Sequence, residues 1–114
     1  MPFLNLKTNV EIPKEKESIV IENLTRAVTL MPGKPYDGIM VEIEESAAIF
    51  IGGERKPIAF VSIDLYGKQE ESVYTDVYTA IREFLSGYLE IPENSIFVNF
   101  HDDGSWGVVG KMFI

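Results

Sequence analysis

Residues 1–10, MPFLNLKTNV, and residues 57–65, PIAFVSIDL, share a pattern: proline at the head of an alternating apolar run. Alternation with period two marks a strand with one buried face. A second pair, KPYDGIMVEI (34–43) and IPENSIFVNF (91–100), places proline, isoleucine and valine at equal spacing. Between the members of each half lies a helical pattern. Val20, Leu24, Ala27, Val28 and Met31 fall on one helix face, and so do Val73, Val77, Ala80, Ile81, Phe84 and Tyr88. Pro13 suits the start of the first helix, Pro32-Gly33 breaks it, and Pro92 follows the second. The chain reads β-α-β twice, as a whole-unit duplication would.

Two such units predict an α+β fold: a four-stranded mixed sheet with both helices on one face, in a single domain over 1–114. Strands are expected at 3–7, 39–43, 58–66 and 96–100, with a short one at 47–50 leading into Gly52-Gly53. Asp103-Gly104 signals a turn, and the tail from Trp106 to Ile114 is expected to add short edge structure. Leu4, Leu6, Ile39, Val41, Ile43, Val61, Ile63, Leu65, Ile96, Val98 and Phe100 should face the helices. The opposite face mixes Phe3, Met40, Phe60 and Phe97 with Asn5, Lys7, Glu42, Ser62, Asp64, Asn99 and His101. A face so mixed suits a partly wet centre between subunits, so an oligomer is expected.

Composition excludes several functions. Net charge is −8, which argues against nucleic acid or an anionic membrane as partner. Cysteine is absent, so disulfides, thiolate zinc sites and cysteine nucleophiles are excluded. No apolar stretch approaches membrane-spanning length and the first residues lack the pattern of a secretory signal, so a cytoplasmic location is expected.

Met-Pro at the first strand, Gly33-Lys34-Pro35 after the first helix, IFIGGERKPIAFVSI (49–63), Gly67-Lys68, and Ile96-Phe97-Val98-Asn99-Phe100 occur in this order. In this the chain resembles the macrophage migration inhibitory factor and D-dopachrome tautomerase family, within the tautomerase superfamily. The resemblance implies a homotrimer with active sites at subunit interfaces. It implies keto–enol tautomerisation of small acids such as phenylpyruvate, or of dopachrome-like compounds, without metal or organic cofactor. Pro2 would be the general base once Met1 is removed, because its nitrogen is then a secondary amine with a free lone pair. Burial and a nearby cation both lower an amine's pKa, and Lys34 matches that cation. By the same resemblance Lys34 binds the substrate's carboxylate or carbonyl oxygen, the backbone N–H near Tyr66 is a second donor, and Asn99 comes from the adjacent subunit.

Two departures bear on rate and specificity. Phe97 stands where many members have tyrosine, and a phenyl ring cannot donate a hydrogen bond. In the tail Trp106 precedes Gly107 and is read as a pocket wall in preference to an interface plug, and Gly110-Lys111-Met112-Phe113 stands where many members have Gly-Trp-Asn. The family's thiol-oxidoreductase motif is missing with the cysteines. A cytokine-like binding protein with the same trimer and little catalysis is the alternative. Hydration or dehalogenation of an unsaturated acid would need further charged groups around the proline.

Other motifs have plainer readings. His101-Asp102-Asp103 does not converge as a metal site, since neighbouring strand residues point to opposite faces. Glu42, Glu44 and Glu45 are read as a solvated turn. Gly52-Gly53 has no following helix and is a hairpin turn, not a phosphate loop. Tyr74, Tyr78 and Tyr88 are read as packing or surface residues.

Overall fold

A computed structural model describes all 114 residues. Strands β1 (Phe3–Thr8), β2 (Met40–Glu44), β3 (Ala59–Asp64) and β4 (Ile96–His101) form one sheet in the order β2-β1-β3-β4. Helix α1 (Lys14–Val28) carries the chain from β1 to its parallel neighbour β2, and α2 (Glu71–Leu89) carries it from β3 to β4. The two β-α-β units meet along the antiparallel pair β1–β3. The α+β architecture with two helices over a mixed sheet is the expected one.

The units repeat at an offset of 57 residues. Phe3 pairs with Met40 in the first, and Phe60 with Phe97 in the second; the same step relates Lys7–Glu44 to Asp64–His101. Helices α1 and α2 begin at Lys14 and Glu71. After them, Gly33 (φ +79°) and Glu90 (φ +58°) both adopt the left-handed conformation. The bridge Ile51–Glu54 recurs as Val108–Lys111, and the positive φ of Gly52 and Gly53 recurs at Val109 and Gly110. The expected match of Pro2 with Pro57 is therefore out by two residues, since Pro2 corresponds to Ala59. A shift of two keeps every side chain on its face, so alternation alone does not register it.

The core is the layer between helices and sheet. Leu4 and Leu6 of β1, Val61 and Ile63 of β3, and Leu65 just after β3 lie fully buried against Val20, Leu24 and Val28 of α1 and Val77, Ile81 and Leu85 of α2. Val41, Ile43, Val98 and Phe100, on the edge strands, pack against this cluster but stay partly exposed. Thr8 is the buried polar exception on β1, and its Oγ1 donates to Ile58 O at 2.7 Å.

Three local expectations are corrected. Residues 47–50 form no strand, because their backbone groups bond elsewhere: Ala47 N–H donates to Thr8 O and Ile49 O accepts from the Asn9 amide. The tail is no edge of the main sheet. It folds on itself as a separate hairpin of β5 (Trp106–Val108) and β6 (Lys111–Phe113). Glu42 and Glu44 lie on β2 rather than in a turn, and both accept from the Asn5 amide, at 2.8 and 3.1 Å.

Leu24→Ala should lower the free energy of unfolding by about 2–5 kcal/mol in a urea titration, since it empties a fully buried site. Ile19→Ala, on the same helix but 39% exposed, should cost less than about 1 kcal/mol.

Candidate active site

The head of β1 is held from both sides. Pro2 is buried, and its carbonyl accepts the Met40 N–H at 3.0 Å, which sets the parallel register with β2. The chain reaches β2 through a 3-10 turn, Tyr36–Gly38, that passes beside the amino terminus. A Cβ on Gly38 would lie 3.4 Å from the Met1 nitrogen, at ordinary contact distance, so the amine packs directly against this turn.

Lys34 follows the left-handed Gly33, which turns the chain out of α1. Its repeat counterpart, Ile91, is fully buried. Where the second unit seals its core with an aliphatic side chain, the first inserts a half-buried ammonium. Lys34 Nζ donates to the Tyr66 carbonyl at 2.8 Å, linking the two units across the end of the sheet. Burial lowers the Lys34 pKa from its ordinary 10.5. The Met1 amine is likewise lowered from 8.0, first by burial and then by the charge of Lys34. Two amines of one sign thus share a partly dry corner, and the charge of Lys34 adds to burial in disfavouring protonation of the terminal amine.

Tyr66 borders this corner through its carbonyl. Its ring meets Phe113 edge-on with centroids 5.9 Å apart, and its hydroxyl donates to Ile114 O at 2.8 Å. Trp106 lies opposite Phe113 across the β5–β6 hairpin and is half-buried. One end of the sheet therefore gathers the amino terminus, Pro2, Lys34 and Tyr66, with the hairpin carrying Trp106 docked on Tyr66 through Phe113 and Ile114.

Phe97 and Asn99 lie elsewhere in the chain. Phe97 is level with Phe60 and Lys7, at the far end of the sheet from Pro2. Five residues of strand separate the two levels, roughly 17 Å. Phe97 instead lines a pocket of about 400 Å³ between α2 and β4, with Tyr74, Tyr78 and Phe100. Asn99 is on the open sheet face, where its Oδ1 is buried without a hydrogen-bond partner. Beside it, His101 Nδ1 lies 3.2 Å from Asp64 Oδ1. Tyr74 is more than packing: its hydroxyl bonds the Asp102 carboxylate and accepts the Gln69 N–H.

The family model for macrophage migration inhibitory factor matches residues 1–112. The chain belongs to the macrophage migration inhibitory factor family. It is 31% identical over 103 residues to the MIF-like protein mif-2 of Caenorhabditis elegans, covering 90% of this chain and 84% of that one. The crystal structure of Leishmania major MIF2 superposes with a TM-score of 0.87 at 23% identity, covering 99% and 97% of the two chains. A fused 4-OT wild-type asymmetric trimer superposes at 0.84 and 21% identity, covering 96% and 94%. The fold is thus that of the tautomerase superfamily.

Within this macrophage migration inhibitory factor family member, sequence reasoning passed over Gly38, Phe113 and the Tyr66 side chain. Gly38 is signalled by its place before an isoleucine-headed strand, where the second unit has Ser95. The role of Phe113 depends on how the tail hairpin folds back, which no local pattern encodes.

The amine should titrate below 8.0 in the folded chain, followed by NMR of labelled Met1. Lys34→Met should return its pKa only part of the way, because burial is the larger cause. With the folded pKa below the unfolded one, unfolding takes up protons between the two. The amine's contribution to stability should therefore rise with pH across that interval and be complete above about 8, and acetylation of the amine should abolish that part of the slope.

Proposed function

We propose that the protein is a keto–enol tautomerase for small 2-keto acids such as phenylpyruvate, or dopachrome-like compounds, with Pro2 as general base after removal of Met1. The observation that carries this reading is the amine beside Lys34: a chain-terminal nitrogen whose cationic form is disfavoured by burial and by a neighbouring ammonium. With Met1 in place the Pro2 nitrogen is an amide and carries no basic lone pair. Removal moves the amine one residue inward, to a position already buried at the head of β1.

The chemistry then balances without redox or cofactor. The neutral Pro2 nitrogen takes a proton from C3 of the keto acid, and the electron pair moves onto the carbonyl oxygen. Lys34, fixed by the Tyr66 carbonyl, holds the carboxylate and stabilises the oxyanion as it forms. The proton carried by Pro2 is delivered to that oxygen, giving the enol; the reverse sequence gives the ketone. The Tyr66 backbone N–H is assigned as a second donor, and Trp106 as part of the wall on the aromatic side. Asn99 and Phe97 are assigned to the site of a neighbouring copy in a trimer. The distance of Phe97 from Pro2 within one chain supports that division, and so does the unpartnered Asn99 Oδ1. Phe97 supplies no hydroxyl, so proton delivery falls to Pro2 alone.

Pro2→Gly in the processed protein should lower kcat/KM for phenylpyruvate by about 10²-fold or more, measured by loss of the enol absorbance. Lys34→Ala should raise KM by about tenfold, one charge-assisted contact being lost. A trimeric sample shown by intact mass to lack Met1, yet inert towards keto acids, would overturn the enzyme reading and favour a cytokine-like binding role.

A further inference from the structure

The 57-residue repeat sets Tyr66 against Asn9, and the two residues do the same job by different means. Asn9 sits just after β1, before the hairpin that carries the Ile51–Glu54 bridge. Its side chain locks both arms of that hairpin through three bonds. The amide donates to Ile49 O at 3.0 Å and Lys56 O at 2.7 Å, and Oδ1 accepts the Ile58 N–H at 3.0 Å. Tyr66, just after β3, makes one bond to the corresponding hairpin: its hydroxyl donates to Ile114 O. The ring fills the space beneath with an edge-on contact to Phe113.

We propose that Tyr66 is the latch of the β5–β6 hairpin, and that its hydroxyl determines how tightly β6 closes the aromatic side of the site beside Lys34. A short amide with three bonds makes a fixed wall. A phenol with one bond makes a wall held off by the length of the ring and released by losing a single contact. β6 shares no ladder with the four-stranded sheet, and Met112 and Ile114 are 65% and 94% exposed. Within one chain, little besides its pairing with β5 therefore restrains that arm. The placement is functional in consequence, because the Tyr66 carbonyl is also the anchor for Lys34 Nζ. One residue holds the cation through its backbone and the wall through its side chain. The hydroxyl is a positioning group that acts on specificity through Phe113 and Trp106.

The substrate part of this inference rests on the tautomerase reading, whereas the latch does not, and the experiment separates them. Amide hydrogen exchange is measured on the full chain and on Tyr66→Phe, which removes only the hydroxyl. The variant should exchange about fivefold faster at residues 111–113, while residues 49–58 keep their protection. Unchanged exchange at 111–113 would overturn the latch. On the same samples, deuterium incorporation at C3 is followed by NMR for phenylpyruvate and for 2-ketobutyrate. Preference for the aromatic acid should fall about fivefold in the variant, through KM more than kcat. Faster exchange with an unaltered preference would overturn the role in specificity. Absence of C3 exchange in the wild-type protein would overturn the tautomerase reading together with that role, leaving the latch to be decided by the amide data.

Discussion

The structure depends on the antiparallel ladder between β1 and β3. Each β-α-β unit alone has two parallel strands and one helix, too little to cover its own apolar face. Joining the units along β1–β3 places Leu4, Leu6, Val61 and Ile63 side by side at the centre, each fully buried beneath the two helices. The edge strands then need only partial cover, and Val41, Ile43, Val98 and Phe100 have it. The same pairing brings the end of β3 beside the start of β1, with Phe3 opposite Asp64. The carbonyl of Tyr66 thereby comes within reach of Lys34, so one ladder builds both the core and the meeting point of the two units.

Against that symmetry, the differences between units are informative. Pro2 corresponds to Ala59, Lys34 to Ile91, Gly38 to Ser95 and Tyr66 to Asn9. In the second unit the strand head is an ordinary interior peptide and the adjacent slot holds a buried isoleucine. An ammonium there would be desolvated with no compensating partner, a large cost in a dry core. In the first unit the corner is only partly buried, and Lys34 bonds a carbonyl. The shift in its pKa is the remaining trace of that desolvation.

Much of this was legible in the sequence because burial leaves a periodic record. The alternation in β1 and β3 and the three-and-four spacing in both helices report a face that must be covered. The equal spacing of KPYDGIMVEI and IPENSIFVNF sets Lys34 against Ile91, in the register that the ladders adopt. Features set by hydrogen bonding rather than burial left no such record. The segment 47–50 has strand composition, yet its partners are Thr8 and the Asn9 side chain. The Phe113–Tyr66 contact joins residues 47 apart through a hairpin that belongs to neither ladder. Gathering Pro2, Lys34 and Tyr66 also needed the fold: they lie far apart in sequence, and the crossover through α1 and the antiparallel pairing of β1 with β3 bring them together.

The arrangement within one chain is an incomplete enclosure, which bears on the proposed chemistry. Lys34 and the amine sit at the rim of the sheet, while β4 ends in unpaired edge groups with Phe97 39% exposed and Asn99 Oδ1 unsatisfied. Sheet edges left open in this way, with Met40 and Phe60 also exposed on the same face, are costly in isolation. A neighbouring copy that laid such a face over the rim holding Lys34 would exclude water from its ammonium. Exclusion of water strengthens the interaction of its ammonium with an enolate oxygen, because the same charges act in a lower dielectric. Assembly and transition-state stabilisation would then draw on one buried surface, with proton transfer left to Pro2 because Phe97 brings no acid to it.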